Sequence, residues 1–544
     1  MKKFFIFFIL LLCSFIVLFP GINGSAVLGQ GDESMHISTV RESVLNNQIL
    51  IPYLNGAPNY FKPPLLFWMA IGTEKLLGQH LWVDRLPAVI MGSLSVGVLF
   101  LLLQAAKTNI VNSIITSFVY LFSMSTFKFS RLLMMEQGLT LAFLLVSYYF
   151  ILYLRLRKYY WVLFAGVFAG IGSLFKGPFF LAYTGLLLLV WTNSILLRFK
   201  YKPFLWKGKS YLKEVSASFT VFHIGAVIPI FFWLGAYYIY QGKDILKYFF
   251  VIENIGKFYF ENQSELGIFW GWFMYTIPWT ILIIYLLYYS YKQPVFVFRH
   301  RIGKYLLFTT ILITILHLLP NRKDAYYTVP SIPILLAGIT LLLPNKLSQD
   351  FLSPLRTNIL FNTILLILLL IPIIIFSGYS LTFFLTLFAI LLSVIIIVYY
   401  RRYSTDIRIA ILIALVYGIS FVDFFQFVIL PSLNYPIVPE RIKQQIQSDV
   451  CIVSEEPWDA YSFVAYLPNK QISHTFPGLK NGCLRKNQGR IFFRINPDFN
   501  PNSEKSLIKW KVWKRNLNFY EILKNPAQTE LYFDTVYYQN TWSE

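Results

Sequence analysis

Two adjacent carboxylates, Asp32 and Glu33, stand just beyond the first long apolar run, and His36 and Arg41 follow them. Such a pair at a membrane surface can hold a metal, deprotonate a hydroxyl or amine, or cap a helix beginning near Ser34. The cap is the plainer reading, because carboxylates favour helix N-termini. Further on, Leu54-Asn55-Gly56-Ala57-Pro58-Asn59-Tyr60-Phe61-Lys62-Pro63-Pro64 turns at Asn-Gly and stiffens at its prolines, which leaves Lys62 at the head of a following segment. There it can neutralise a lipid phosphate or snorkel to the interface. Phe129-Ser130-Arg131 and Glu136 open an apolar helix, where ionisable groups are costly unless paired or functional. Lys176-Gly177-Pro178 sets another cation between two apolar runs. Arg322 and Lys323, followed by Tyr326 and Tyr327, suit a phosphate and the edge of a sugar ring.

The elements that must position these groups are membrane helices. The 544 residues are 56% hydrophobic, 19% aromatic and 13% charged, which excludes a disordered chain or a small disulfide scaffold and argues against a soluble enzyme. The apolar residues gather into runs of roughly 17 to 24, each able to span about 30 Å of hydrocarbon. The fold class is therefore an all-α polytopic membrane protein. A net charge of +21 belongs first to cytoplasmic loops and lipid phosphates, so membrane lipid is the expected contact and nucleic acid is not.

Met1-Lys2-Lys3 places the N-terminus in the cytoplasm before a crossing at about 4–20. Gly24-Ser25-Ala26 offers a rival cleavage point, but a retained anchor would hold the acidic pair at fixed depth. Further crossings are expected at about 87–104, 110–127, 138–154, 160–175, 178–197, 217–240, 268–290, 304–319, 326–343, 358–376, 380–399 and 407–429, roughly thirteen in all. The basic loops after the crossings ending near 154, 197, 290 and 399 then share one side. The exported parts are about 21–86, 128–137, 241–267, 320–325 and 431–544. This divides the chain into a transmembrane domain, 1–430, and an exported C-terminal domain, 431–544.

Within the first exported loop, 35–45 and a segment opening at Pro63 read as helices lying on the bilayer. The C-terminal stretch, with Cys451-Ile452-Val453 and Arg490-Ile491-Phe492-Phe493, reads as a small α/β or β-rich domain. Cys451 and Cys483 could pair in an oxidising compartment, whereas Cys13 lies in the first crossing. On the exported face Lys62, Arg131, Lys176, Arg322 and Lys323 break the positive-inside tendency together, which argues for an anionic ligand.

No Walker loop, dinucleotide fingerprint or paired-cysteine zinc pattern is present, so ATP energy is unsupported. His36, His80, His223, His300, His317 and His474 lie far apart. A polyprenyl-lipid or sugar transporter is the rival class; it would carry charges through the bundle and broken helices near the midplane. A non-catalytic scaffold is a third reading, in which the acidic pair would be dispensable.

Taken in order, Asp32-Glu33, Leu54-Asn55-Gly56 with Lys62-Pro63-Pro64, Arg131 with Glu136, Lys176-Gly177-Pro178, and Tyr326-Tyr327 before Pro330 and Pro333 resemble the bacterial protein O-mannosyltransferase and lipid A aminoarabinose transferase family. That family is part of the GT-C superfamily. The motifs run to about residue 345, and topology extends the likeness to about 430. The resemblance implies a glycosyltransferase moving a hexosyl or pentosyl group from a polyprenyl-phosphate donor to a lipid, glycan or protein acceptor. It places the enzyme in the cell inner (plasma) membrane with its catalytic face and C-terminal domain on the periplasmic or extracellular side, the periplasm if the cell is Gram-negative.

By the same likeness Asp32 is the catalytic base, Glu33 and Glu136 are the other catalytic carboxylates, and Lys62 touches the donor phosphate with Arg131, Lys176, Arg322 and Lys323 around it. Tyr60, Lys257, Tyr326 and Tyr327 are the substrate-binding candidates. Glu253-Asn254-Ile255-Gly256-Lys257-Phe258 looks like the family's far-side loop, with Lys257 in place of the usual arginine. Phe61 replaces the glutamate that many relatives carry before the lysine, and 241–267 lacks their histidine. A divalent metal is thus unsupported, no metal ligand is assigned, and the cofactor stays open.

Overall fold

The computed structural model describes residues 2–23, 31–60, 62–177, 179–198, 208–241, 247, 251, 255–259, 263–292, 298–344, 352–377, 392, 407–424, 437–454, 457–467, 470–475, 489–493, 508–513 and 533–539. Between the helices α1, Lys2–Leu18, and α4, Leu81–Ala105, lie α2, Gly31–Leu45, and α3, Leu65–Leu77. A two-residue hairpin of β1, Tyr53–Leu54, and β2, Ala57–Pro58, separates those two helices and turns at Asn55-Gly56, both at positive φ. Then follow α5, Ile110–Leu121, α6, Met124–Phe129, α7, Glu136–Leu156, α8, Tyr159–Lys176, α9, Phe179–Arg198, and α10, Gly208–Gln241. Apolar runs of this length become helices because hydrocarbon offers backbone amides no partner outside their own segment.

Among the described residues six stretches are long and apolar enough to cross a membrane: Leu81–Ala105, Glu136–Leu156, Tyr159–Lys176, Lys213–Tyr240, Arg299–Leu318 and Ala325–Leu342. A seventh arises if Leu266–Thr276 and Thr280–Tyr291 count as one span. Helices also occupy Lys2–Leu18, Phe179–Arg198, Leu352–Ser377 and Ile407–Phe424, where crossings are expected. The crossing expected at 380–399 lies outside the described residues.

Several crossings differ from their expected form. The run at 110–127 breaks between α5 and α6, because the Ser123 and Thr126 hydroxyls both donate to the Tyr120 carbonyl at 2.7 Å and displace the helical bond. The run at 268–290 bends by 104°. At that bend the Pro278 carbonyl accepts from the side-chain amides of Asn358 at 2.9 Å and Asn362 at 2.6 Å, which satisfy backbone that the helix no longer serves. The stretch expected to start at 326 opens with a 3-10 turn, Ala325–Ser331, before Ile332–Leu342.

α2 does not lie along a surface with one wet face. Of Ile37, Val40 and Val44, which the periodicity sets on one face, the first two are buried and Val44 is half-buried, but Glu33, His36, Thr39 and Arg41 on the other sides are buried as well. One cover is the bundle. Another is the Pro457–Tyr466 helix, whose Val464 and Ala465 carbonyls accept from the Arg41 guanidinium and whose Tyr461 hydroxyl accepts from Asn55 Nδ2 at 2.6 Å.

That helix belongs to a five-stranded sheet in the order β4-β3-β5-β7-β6, with β3 at Asp449–Ser454, β4 at Gln471–Thr475, β5 at Gly489–Phe493, β6 at Ile508–Trp513 and β7 at Phe533–Gln539. β3 runs parallel to β4 and β5, whereas β7 runs antiparallel to β5 and β6. The arrangement is α/β, with Val450, Ile452, Phe463, Ile491 and Val536 in its core. Cys451 is disulfide-bonded and Cys13 is free; Cys483 lies outside the described residues.

α8 is seated on α10 by two small residues one turn apart. A side chain at Gly166 would meet the Phe222 carbonyl at 2.1 Å, and one at Gly170 would meet the Ala226 carbonyl at 2.4 Å. Backbones approach this closely only where side chains are absent. The contact fixes the helix that ends at Lys176.

Candidate active site

The first turn of α2 carries Asp32 and Glu33, where the helix N-terminus favours negative charge. The two side chains part company at once. Glu33 is 4% exposed, and Arg85 grips it with Nε at 2.7 Å and Nη2 at 2.9 Å, while the Leu133 amide donates to it at 2.8 Å. Its oxygens are occupied, so the geometry makes it a strut between α2, α4 and the turn before α7 and corrects its expected place among catalytic carboxylates.

Asp32 is half-buried and free of hydrogen bonds or ion pairs to described residues. Burial alone would raise its carboxyl, but the charges of Lys62, His36, Arg322 and Lys176 outweigh it and hold the group below its ordinary value. The two lysines and the arginine arrive from separate segments: the loop before α3, the end of α8 and the 320–325 loop. Asp32 is therefore an ionised carboxylate in a cationic bowl, open to accept a proton.

Glu136 begins α7, is 2% exposed, and lies 3.3 Å from Lys176 Nζ. Lys176 Nζ also stands 4.6 Å from the Tyr327 ring centroid and 5.2 Å from that of Tyr326. The two tyrosine rings meet edge to face at 5.0 Å. Arg322 pairs with Asp324 at 2.8 Å, and the Tyr326 hydroxyl donates to the same carboxylate at 3.1 Å. Glu136, Lys176, Tyr326, Tyr327 and Arg322 thus form one connected wall beside Asp32.

Three expected site residues stand elsewhere. Arg131 donates to the carbonyls of Leu18, Val17 and Pro20 at 3.1, 3.0 and 3.2 Å, and so closes the C-terminal end of α1, whose last carbonyls have no helical partner. Lys323 is 3% exposed at its side chain and binds the Gln263 carbonyl at 3.1 Å and Glu265 at 3.4 Å, which ties the 320–325 loop to the segment before Leu266. Tyr60 packs near Ile51, Trp233 and Tyr237, on the α10 side. Lys257 falls in a single 3-10 turn, Ile255–Phe258, which the Asn321 side chain joins to the Arg322 loop through the Phe258 carbonyl at 2.7 Å. The side chain of Lys257, and Glu253 and Asn254 entirely, lie outside the described residues.

Two further residues, with no role expected from the sequence, neighbour this wall. Lys128, on α6, has its ammonium 5.5 Å from the Phe129 ring; burial pulls it below its usual value against the opposing pull of Glu136 and Glu33. His36, one turn after Asp32, is 1% exposed. Spacing of four from an acidic residue at a helix start was the signal that could have drawn attention to it. Among the described residues no three His, Cys, Asp or Glu side chains cluster as a metal site.

Residues 61–207 match the sequence model of the family described as dolichyl-phosphate-mannose-protein mannosyltransferase. No curated protein matches the chain in sequence. Among solved structures, ArnT from Cupriavidus metallidurans bound to undecaprenyl phosphate is similar with a TM-score of 0.69 and 16% identity, covering 97% of each chain. ArnT from the same organism in the apo state gives 0.66 and 15%, covering 98% of this chain and 97% of that one. The resemblance carried by the ordered motifs therefore holds: the chain bears the mannosyltransferase family's sequence pattern over residues 61–207 and an ArnT-like fold over nearly its whole length.

Proposed function

We propose that this chain is an integral-membrane glycosyltransferase that takes a sugar from a polyprenyl-phosphate donor and passes it to an envelope lipid, glycan or protein on the exported side of the inner membrane. The carrying observation is that Asp32, without a hydrogen bond to any described residue, lies in the combined field of Lys62, Arg322 and Lys176. A base and an anion site drawn together from distant segments suit transfer away from a phosphate. The fold shared with a protein solved bound to undecaprenyl phosphate supports the donor class.

In this reading the prenyl tail lies among the helices and the phosphate rests against Lys62, Lys176 and Arg322. Asp32 takes the proton of the acceptor hydroxyl or amine as that atom attacks the anomeric carbon, and polyprenyl phosphate leaves from the opposite face, so configuration inverts. The cations stabilise charge that grows on the departing phosphate. Glu136 holds Lys176 in place, and Tyr326 and Tyr327 form an aromatic floor for the sugar.

The test uses purified full-length protein in proteoliposomes with labelled polyprenyl-phosphate sugar and an envelope extract. Label appearing on an acceptor, with release of polyprenyl phosphate, is the expected result. Movement of donor between leaflets with no glycosylated product would overturn the reading in favour of transport.

A further inference from the structure

Of the two rings beside Lys176 Nζ, Tyr327 is the nearer, at 4.6 Å. The imidazole of His317, from the last turn of the Phe298–Leu318 helix, stacks on that same ring with centroids 5.1 Å and planes 28° apart. His317 is buried, and Phe179 and Tyr183 of α9 pack against it at 5.3 and 5.4 Å. Tyr183 reaches the backbone as well: its hydroxyl donates to the Tyr327 carbonyl at 3.2 Å and also bonds His317 Nε2. A phenol has one hydrogen and a carbonyl only accepts, so His317 Nε2 donates to the Tyr183 oxygen. One imidazole thus holds Tyr327 twice, by stacking on its ring and, by way of Tyr183, at its carbonyl.

This double hold bears on Lys176. A lysine carries its charge on a flexible four-carbon stem, and an anion site is sharp only if that freedom is already given up. Two partners confine Nζ: the Glu136 carboxylate at 3.3 Å and the tyrosine rings. The carboxylate alone would draw the ammonium toward α7. The negative face of an aromatic ring adds a second pull, whose direction is set only while the ring itself is fixed. His317 supplies that fixity from a helix that contributes nothing else to the wall.

We propose that His317 is a positioning residue for the donor phosphate that acts through Tyr327: by stacking on the ring and securing its carbonyl through Tyr183, it keeps Lys176 Nζ where the phosphate is gripped. The inference rests on the placement of the phosphate against Lys176 in the transferase reading above. His317 itself touches neither sugar nor phosphate, so its loss acts on binding and leaves the bond-making step alone.

Two substitutions each release one hold. His317→Gln keeps an N–H for the Tyr183 oxygen and loses the stacked ring; Tyr183→Phe keeps the rings and loses both hydrogen bonds. With full-length protein in nanodiscs, binding of labelled, sugar-free polyprenyl phosphate should weaken about three- to tenfold in each variant. Transfer from a labelled polyprenyl-phosphate sugar should show donor KM raised by the same factor, with kcat within about twofold of wild type. In a Lys176→Met background neither substitution should weaken polyprenyl phosphate binding by more than about a further twofold, because the group they position is gone; a general packing role would add its full effect there. Wild-type binding in His317→Gln, a loss confined to kcat, or an undiminished effect in the Lys176→Met background would each overturn the proposal. Wild-type protein that binds polyprenyl phosphate yet transfers no sugar would strike the reaction class instead, and the binding comparisons would still judge His317.

Discussion

Glu33 and Arg85 form a two-pronged ion pair in which both partners are almost wholly buried, at 2.7 and 2.9 Å. The third guanidinium nitrogen of Arg85 donates to the Ile22 carbonyl at 2.7 Å, so the pair also ties down the chain leaving α1. Asp32, the adjacent residue, is thereby aimed from a fixed helix start. Removing one partner strands the other's charge, so Glu33→Ala should cost about 3–5 kcal/mol of stability and lower the melting temperature in detergent. Asp32→Asn should leave that temperature nearly unchanged. Equal losses in the two variants would erase the division of labour between the neighbours.

Lys176 faces both Glu136 and the Tyr327 ring. If it grips the donor phosphate, Lys176→Met should weaken donor binding by roughly tenfold to a hundredfold, the worth of a charge-assisted hydrogen bond. Steady-state kinetics should show this chiefly as a higher donor KM. An unaltered KM would move the phosphate away from the end of α8.

Glu74 of α3 is buried beside Asp84, and burial followed by that neighbour's charge pushes its carboxyl up to about 8 from 4.5. Between those values the folded protein holds a proton that the unfolded chain has released. Stability is therefore greatest below the unfolded value and declines as pH rises toward about 8. Glu74→Gln stays neutral throughout. The wild-type melting temperature should fall between about pH 5 and about pH 8 more steeply than that of the variant; parallel curves across that window would place the proton elsewhere.

Much of this arrangement is legible in the sequence, and the residues show why the remainder is not. Apolar runs locate the helices because hydrocarbon demands internally satisfied backbone, and three cations read at turns between those runs, Lys62, Lys176 and Arg322, act together on Asp32. Charge type does not reveal which cations are already bound. Arg131 and Lys176 look alike as cations at the ends of apolar runs, yet one serves three carbonyls of α1 and its exit and the other stands over tyrosine rings. The break between α5 and α6 depends on two hydroxyls choosing one carbonyl, and hydropathy does not see hydroxyls. Gly166-Val167-Phe168-Ala169-Gly170 is readable as a close-packing motif and would have foretold the seat of α8 on α10. The burial of α2 was hidden because its second cover comes from more than 400 residues later in the chain.

The most direct measurement pairs donor binding with single-turnover transfer in Asp32→Asn, using purified full-length protein and labelled polyprenyl-phosphate sugar. A carboxylate acting as the base leaves the phosphate grip intact when replaced by an amide, so binding should stay within about twofold of wild type while transfer falls by at least about a hundredfold. Transfer at the wild-type rate, with the donor still bound, would contradict the assignment of Asp32 as the base.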